Sequence, residues 1–298
     1  MATIAAEGLL ARSSNRGNLR RRYLIDKLFG ALVMLAAALG VALLAIIIAY
    51  IVIKGLPAWN LEFFIGHTEP VGVAQGGVGQ AIVGSLMMLA VACLLGIPLG
   101  IGAALYLSEY GQGFVAEATQ FAIETIAGVP SIVIGSFIWA FLVKTIMGSY
   151  SGLAGGIALG IIMIPIVART AQEVLRLVPN SLREASLALG IPYWKTVVHI
   201  VLPTARTGLV TAVVLAAARA GGETAPLLLT ALGNDFYNFD LLKPMSALPL
   251  VIYKYALSPY GEWQQQAWGA ALVLIVVIGI VSLVTRWSVN RSARRLRG

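Results

Sequence analysis

The chain has 298 residues, of which 59% are apolar and 11% are charged. Soluble domains average about 45–50% apolar and about 25% charged residues, so this composition excludes an ordinary soluble domain and indicates an integral membrane protein. The net charge of +8 does not indicate nucleic-acid binding, because the basic residues cluster beside apolar segments.

Six segments are apolar and long enough to cross a bilayer, which takes about 20 residues. They cover residues 28–53, 80–107, 121–143, 152–172, 204–222 and 264–286. A backbone in hydrocarbon must satisfy its own hydrogen bonds, so the sequence predicts an all-α fold with six transmembrane helices. The first segment is too long for a signal peptide and lacks a cleavage site after it, so we expect it to be retained. Residues 1–19 are predicted to be a disordered tail.

The positions of the basic residues predict the orientation, since cytosolic flanks are enriched in Lys and Arg. With the N-terminus inside, only Lys54, Lys144, Lys243 and Lys254 of the 21 Lys and Arg residues fall outside, and Arg219 falls at the end of a span. Both termini are therefore predicted to be cytosolic. The inner loop 108–120 is an exception, because it carries Glu109 and Glu117 and no basic residue.

Small residues predict close helix packing in the second span, where Gly96, Gly100 and Ala104 recur at every fourth position. In the third span, Pro130 and Ser131 allow either an ordinary kink, which we favour, or a broken helix that faces a cavity.

Two outer segments are predicted to serve the membrane boundary. Trp59, Phe63 and Phe64 are interpreted as interface anchors and residues 76–79 as a loop, with contact to an external partner as the alternative. Apolar residues from Met245 to Ala256 repeat at helical spacing, which indicates an interfacial or re-entrant helix.

Arg219 is the candidate substrate-path residue, because an arginine within an apolar span costs about 2.5–3.5 kcal/mol on insertion scales. If the helix continues, Glu223 lies on the same face and can pair with it. Two interpretations stay open: Arg219 lies near the outer interface and pairs with Glu223 for structure alone, or its guanidinium lines an anion pathway.

The stretch REASLALGIPYWKTVVHIVLP, residues 183–203, is the longest polar interval between spans. It predicts a small-residue helix, a turn at 190–192 and a second short helix, which together form a cytosolic docking surface. No G-x-x-x-x-G-K-[ST], H-E-x-x-H or G-x-S-x-G sequence occurs, so an enzyme is a poor interpretation and any ATP must be hydrolysed by another chain. One cysteine, Cys93, and two separated histidines predict no metal site.

Glu184, Ala185, Gly190, Ile200, Leu202 and Pro203 occur at the spacing of the EAA motif, and the chain thereby resembles the permeases of bacterial ABC importers. Ser186 stands where that family usually has alanine. The resemblance narrows to the phosphate-specific branch over residues 78–287. It rests on VGSLMM (83–88), IPLGIGAALYLSEYG (97–111), VPSIVIG (129–135), LVPNSLREASLALG (177–190), ARAGGETAPLLLTAL (218–232) and SPYGEWQQQAW (258–268).

The resemblance implies a type I ABC-importer permease fold with cytosolic coupling helices at 173–203. It divides the chain into a tail (1–27), a first span with an outer segment (28–77), a permease domain (78–286) and a second tail (287–298). It implies that Arg219 and Glu223 lie on the phosphate path. The implied partners are a homologous permease, an ATPase dimer that binds ATP and Mg²⁺, and an extracytoplasmic phosphate-binding protein; the chain itself is expected to hold no cofactor.

Three alternatives remain open at this point. The first keeps the ABC architecture but changes the oxyanion to sulfate or molybdate. The second is an ATP-independent channel or secondary transporter, for which Glu124 and Glu223 are the only carboxylates near mid-membrane. The third is a scaffold or signalling role in addition to transport.

Overall fold

The computed structural model describes residues 2–70, 72 and 76–295, and these are mostly helical, with no strand among them. The helices are α1 (Ala2–Gly55), α2 (Leu61–Ile65), α3 (Gly79–Leu105), α4 (Gly113–Gly128), α5 (Ser131–Ile138), α6 (Gly152–Arg176), α7 (Asn180–Ala188), α8 (Tyr193–Thr196), α9 (Leu202–Gly221), α10 (Ala225–Thr230), α11 (Leu248–Ala256) and α12 (Gly261–Arg295). π-Helical turns cover Tyr106–Tyr110, Trp139–Met147 and Val197–Val201, and a short 3-10 turn covers Leu56–Ala58.

Five helical stretches are long and apolar enough to cross a membrane, and a sixth span exists if one bent helix pair is counted. The five are Leu19–Ala58, Gly79–Tyr110, Gly152–Arg176, Tyr193–Gly221 and Gly261–Leu283. The prediction of an all-α protein with six spans is therefore confirmed with one qualification, because the third span is the bent pair.

The third span is broken, so the prediction of an ordinary kink is wrong. Helices Gly113–Gly128 and Ser131–Met147 meet at 102° across a two-residue break. Val129 is extended at φ −75° and ψ 130°, as the residue before a proline prefers, and Pro130 follows with ψ 136°. Because Pro130 also has no N–H to donate, the helix stops at Gly128 and restarts in a new direction.

Residues 1–53 and 54–298 form two separate compact units. In the first unit α1 already begins at Ala2, so the prediction of a disordered tail over residues 1–19 is wrong for the residues described. Residues 2–55 contain no proline, and alanine, leucine and arginine, all good helix formers, are frequent there.

In the second unit α3 packs closely on α6, as the small residues of the second span predict. A Cβ added to Gly96 would lie 2.9 Å from Met163 Cβ, and one added to Gly100 would lie 2.7 Å from Val167 Cβ. Gly156 of α6 faces Val91 of α3 in the same way. Glycine lets the two backbones approach, and the larger residue opposite each glycine fills the space.

The fifth span begins earlier than residue 204. Helix α8 continues through the π-helical turn Val197–Val201 into α9, so Tyr193–Gly221 forms one stretch of 29 residues. The predicted second short helix is therefore continuous with the helix of the fifth span. Pro203 lies in the first turn of α9, where its missing N–H is tolerated because the wider π-helical turn precedes it.

Phe63 is buried rather than an interface anchor, which corrects that prediction for one of the three aromatic residues. It packs with Val78, Leu248 and Tyr255 in a core formed by α2, α11 and the start of α12. The neighbouring Trp59 donates from Nε1 to the carbonyl of Gly269 at 3.1 Å. The helix predicted between Met245 and Ala256 is present as Leu248–Ala256.

Candidate functional site

A cavity of about 270 Å³ lies at the break in the third span. One wall is the break itself, with Pro130 and Ser131, and another is the middle of α6, with Ile162 and Pro165. The end of the fifth span adds Arg219. The structure therefore shows the broken helix that was the alternative for Pro130 and Ser131. The break lies beside Arg219, the candidate substrate-path residue.

The cavity fixes the depth of Arg219 along the bundle. Arg219 lines the cavity together with Ile162, Pro165 and Ile166 of α6, and these three residues lie about halfway along the 25-residue helix. At about 1.5 Å rise per residue, either end of α6 is some 15–20 Å away. Within the bundle, Arg219 therefore lies level with the middle of α6 and not with either of its ends.

Arg219 and Glu223 both line the cavity but do not form the predicted ion pair. Helix α9 ends at Gly221 and Gly222 caps it, so the i, i+4 geometry that would have joined the two side chains is not formed. Within the described ranges, Arg219 has no carboxylate oxygen within 4.0 Å of its guanidinium nitrogens. The side chain of Arg219 is exposed in the isolated chain, so the cavity is open beside it.

Arg169 is a second arginine on the cavity wall. From the sequence it is predicted only to flank the cytosolic side, as one of the basic residues that set the orientation. Its Nη2 lies 3.5 Å from Oε1 of Glu124, and the side chains are 48% and 50% exposed, respectively. Gln120 Nε2 also donates to Glu124 Oε1 at 2.6 Å. The signal that could have identified Arg169 is its position inside the predicted span 152–172, which an arginine avoids unless it faces protein or water.

The start of α5 adds a positive end to the cavity. The amides of Val133 and Ile134 donate to the Pro130 carbonyl at 2.9 and 3.4 Å, whereas the first amides of a helix have no carbonyl partner within it. The N-terminus of a helix carries a partial positive charge of about half a unit. Two guanidinium groups and this helix end make the cavity chemically suited to an anion, and Glu223 is the carboxylate beside them.

Helix α7 lies at the end of the bundle where α6 also ends. It finishes in a tight turn that requires glycine. Gly190 has φ +77°, its N–H donates to Leu187 O at 2.9 Å, and the N–H of Ile191 donates to Ser186 O at 3.3 Å. These two bonds are the Schellman pattern of a helix C-terminus. A Cβ at Gly190 would meet no atom within 4 Å, so the backbone angle alone demands glycine.

The six predicted coupling residues divide between two elements. Glu184, Ala185 and Gly190 are exposed on α7 and its terminal turn. Ile200, Leu202 and Pro203 belong to the start of the fifth span, where the first two are half-buried and Pro203 is exposed. The exposed half of the motif is therefore the part that is accessible to another protein.

Ser186, where the resemblance would have alanine, has a structural role. Its Oγ lies 2.8 Å from Thr196 Oγ1, and both side chains are buried. This hydrogen bond joins α7 to α8 across the Gly190 turn. The serine therefore has its polar partner within the segment, and the substitution leaves the exposed face unchanged.

A bundle of membrane-spanning helices with a cavity at a broken span and an exposed helix–turn–helix segment at one end defines a transport permease. The family model described as "Binding-protein-dependent transport system inner membrane component" matches residues 96–298. The chain belongs to this family.

Curated relatives are similar over most of the chain. The chain is 43% identical over 266 residues to "Phosphate transport system permease protein PstA" of Pasteurella multocida (strain Pm70), covering 89% of this chain and 94% of the relative. It is 42% identical over 236 residues to the protein of the same name from Yersinia pestis, covering 79% of this chain and 80% of the relative.

Solved structures of low identity show the same fold. A chain of a bacterial alginate ABC transporter in complex with an alginate pentasaccharide-bound periplasmic protein aligns with a TM-score of 0.61 at 15% identity. The alignment covers 91% of this chain and 95% of that one. The predicted ABC-importer permease fold is thus confirmed.

Proposed function

We propose that this chain is the permease subunit of an ATP-driven importer of inorganic phosphate. The observation that carries the proposal is the cavity at the broken third span, where Arg169, Arg219 and the start of α5 provide positive charge at mid-bundle. The names of the curated relatives support phosphate as the anion. Phosphate is a multiply charged anion, and fixed cations with oriented amides lower the barrier to its passage.

The exposure of Arg219 supports a second permease in the complex. A charged side chain at mid-membrane depth is costly in lipid, so the open side of the cavity needs a protein neighbour. We infer a homologous, PstC-like permease there, a PstB-like ATPase dimer at the Glu184–Gly190 face and a PstS-like phosphate-binding protein on the outer side. ATP and Mg²⁺ belong to the ATPase, and this chain is a non-catalytic subunit without a cofactor of its own.

The same proposal gives the orientation and the division of the chain. Both termini lie in the cytosol, as the basic flanks predict. Residues 78–286 form the permease domain, which follows the first span and its outer segment (28–77) and precedes the second tail (287–298). Within the segment 173–203, the exposed face of α7 and its terminal turn then meets the ATPase. Closure of the ATPase dimer pushes on Glu184, Ala185 and Gly190, and the bundle responds as a rigid body that exposes the cavity to the other side.

Uptake by the complete complex in proteoliposomes tests the proposal. We expect ATP-dependent uptake of labelled phosphate that unlabelled phosphate competes with, whereas an equal excess of sulfate or molybdate leaves it unchanged. Equal competition by sulfate or molybdate would show that the substrate assignment is wrong, whereas the assignment as an ABC-importer permease would stand. Uptake by this chain alone, without ATP, would overturn the proposal in favour of a channel or secondary transporter.

A further inference from the structure

The most completely buried charged side chain of the described residues lies away from the cavity. Glu109 follows α3 in the π-helical turn Tyr106–Tyr110, and its side chain is 0% exposed. Arg183 donates to it twice, from Nε to Oε2 at 3.0 Å and from Nη2 to Oε1 at 2.7 Å. The Tyr193 hydroxyl donates to Oε2 at 2.8 Å. A buried carboxylate is tolerated only with such complete pairing.

Arg183 is also saturated by backbone carbonyls at the end of α6. Its Nη1 donates to Val178 O at 2.7 Å and its Nη2 donates to Leu175 O at 3.2 Å. The side chain is 13% exposed, and its hydrogen bonds to Glu109 raise the pKa of Arg183 above its ordinary value. One guanidinium therefore holds together the end of the α3 helical stretch, the end of α6 and helix α7.

The two faces of α7 have different partners. Arg183 points into the bundle, whereas the next residue, Glu184, is exposed together with Ala185. Tyr193 begins the fifth span, and its ring also meets that of Tyr110 edge-on at 5.4 Å. Glu109, Arg183 and Tyr193 thus form a cluster, the Glu109 cluster, that joins three spans directly behind the proposed ATPase-binding face.

We propose that the Glu109 cluster is the positioning element that converts displacement of α7 into movement of α3 and α6. Its members touch neither substrate nor ATPase. A push on the exposed face reaches Arg183 within the same helix, and Arg183 is bonded to the ends of both spans. Since α3 and α6 pack through Gly96 and Gly100, they move together, and α6 carries the cavity wall. This inference rests on the proposed function, because it concerns how transport is coupled to the ATPase.

Glu109→Gln in the reconstituted importer is the direct test, because it keeps the size of the side chain and removes its charge. Glu117→Gln is the matched control, since Glu117 is a nearby glutamate in the sequence that lies in α4 and is exposed. We measure phosphate imported per ATP hydrolysed, together with co-purification of the ATPase. In E109Q we expect this ratio to fall about tenfold while ATPase binding persists, because Arg183 is left buried without its counter-charge. E117Q should stay within about twofold of the unmodified protein, because it removes only an exposed charge.

A merely structural role would lower the amount of complex and leave the transport-to-ATP ratio unchanged, and that result would overturn the proposal. If E109Q does not assemble, Tyr193→Phe tests the same cluster, because it removes the hydroxyl that donates to Glu109 Oε2 at 2.8 Å and lies 3.3 Å from the Glu109 carbonyl. A fall in phosphate imported per ATP hydrolysed in Y193F supports the proposal, and a ratio equal to that of the unmodified protein overturns it.

Amide hydrogen exchange of residues 180–196 separates this inference from the proposed function. If the importer carries no phosphate, the proposed function fails, but exchange still reports on the Glu109 cluster. Faster exchange of α7 in E109Q than in E117Q is the result expected, and equal exchange in both variants would show that the cluster does not position α7.

Discussion

Arg169 and Arg219 share one cavity but differ in what neutralises them. Arg169 lies 3.5 Å from Glu124, whereas Arg219 has no such partner among the residues with described positions. An exposed ion pair is worth about 1 kcal/mol or less, so Glu124 competes weakly with an incoming anion. The guanidinium of Arg219 is therefore available to bind an anion directly, whereas that of Arg169 must first separate from Glu124.

Arg219→Gln should lower phosphate uptake about 10- to 100-fold, the range expected for losing charged hydrogen bonds to the anion. Assembly should persist, because the guanidinium holds no other described side chain. Arg206→Gln, on the same helix but outside the cavity, serves as control. Uptake in proteoliposomes at matched complex concentration is the measurement, and undiminished uptake by R219Q would remove Arg219 from the path.

Arg169→Gln should have a smaller effect, about three- to tenfold, because Glu124 already neutralises part of its charge. Arg176→Gln is its control, being exposed in the last turn of the same helix and outside the cavity. Initial uptake rates over a range of phosphate concentrations would distinguish the two arginines. A loss in R169Q equal to that in R219Q would contradict the ranking.

Among the elements, the turn after α7 depends on backbone conformation rather than on packing. A non-glycine residue in the left-handed region costs about 1–2 kcal/mol, and a β-branched side chain is the least tolerated there. Gly190→Val should therefore displace the exposed face of α7 and abolish ATPase co-purification while the chain still inserts. Pull-down from solubilised membranes measures this.

Gly113→Val is the matched control for that experiment. Gly113 has φ +71° and an unobstructed Cβ position, as Gly190 does, but it is the first residue of α4 and lies outside the coupling turn. Similar strain at Gly113 should leave ATPase binding intact. Normal ATPase co-purification with G190V would refute the docking role of the turn.

The hydrogen bond between Ser186 and Thr196 gives a prediction about stability. Ser186→Ala leaves the Thr196 hydroxyl buried without that partner, at a cost of about 1–3 kcal/mol. Adding Thr196→Val should recover most of the loss, because both polar groups are then removed. Apparent melting temperatures in detergent, compared across the two single variants and the double variant, measure the coupling, and additive losses would contradict it.

Periodicity and composition predict the regular elements well, because hydrocarbon tolerates little besides apolar helices. Close helix packing at Gly96 and Gly100 follows from their spacing, although the identity of the partner helix α6 does not, and the turn at Gly190 is also predicted from the sequence. The break at Val129 and Pro130 does not, because a proline in a span is compatible with a kink or a break, and tertiary contacts decide. Arg169 and the burial of Glu109 were missed for a related reason: their partners are distant in sequence.

For the whole molecule, the open cavity indicates that one chain is an incomplete transporter. We expect no phosphate uptake by the purified chain alone. The complex with a second permease, ATPase and binding protein should show uptake that vanadate inhibits. The measurement is a side-by-side proteoliposome assay, and vanadate-insensitive uptake by the single chain would show that the cavity needs no neighbour.

The break at Val129–Pro130 places the N-terminus of α5 at the cavity wall, and the partial charge of a helix end comes from its peptide groups. Peptide groups are the same whatever residue carries them, so amino-acid drift cannot readily erase this part of the anion site. Arg169 and Arg219, in contrast, can each be lost or changed by a single codon. Attempts to re-engineer the cavity for a different anion should therefore vary these two arginines and Glu223, and should keep the backbone conformation at the break unchanged.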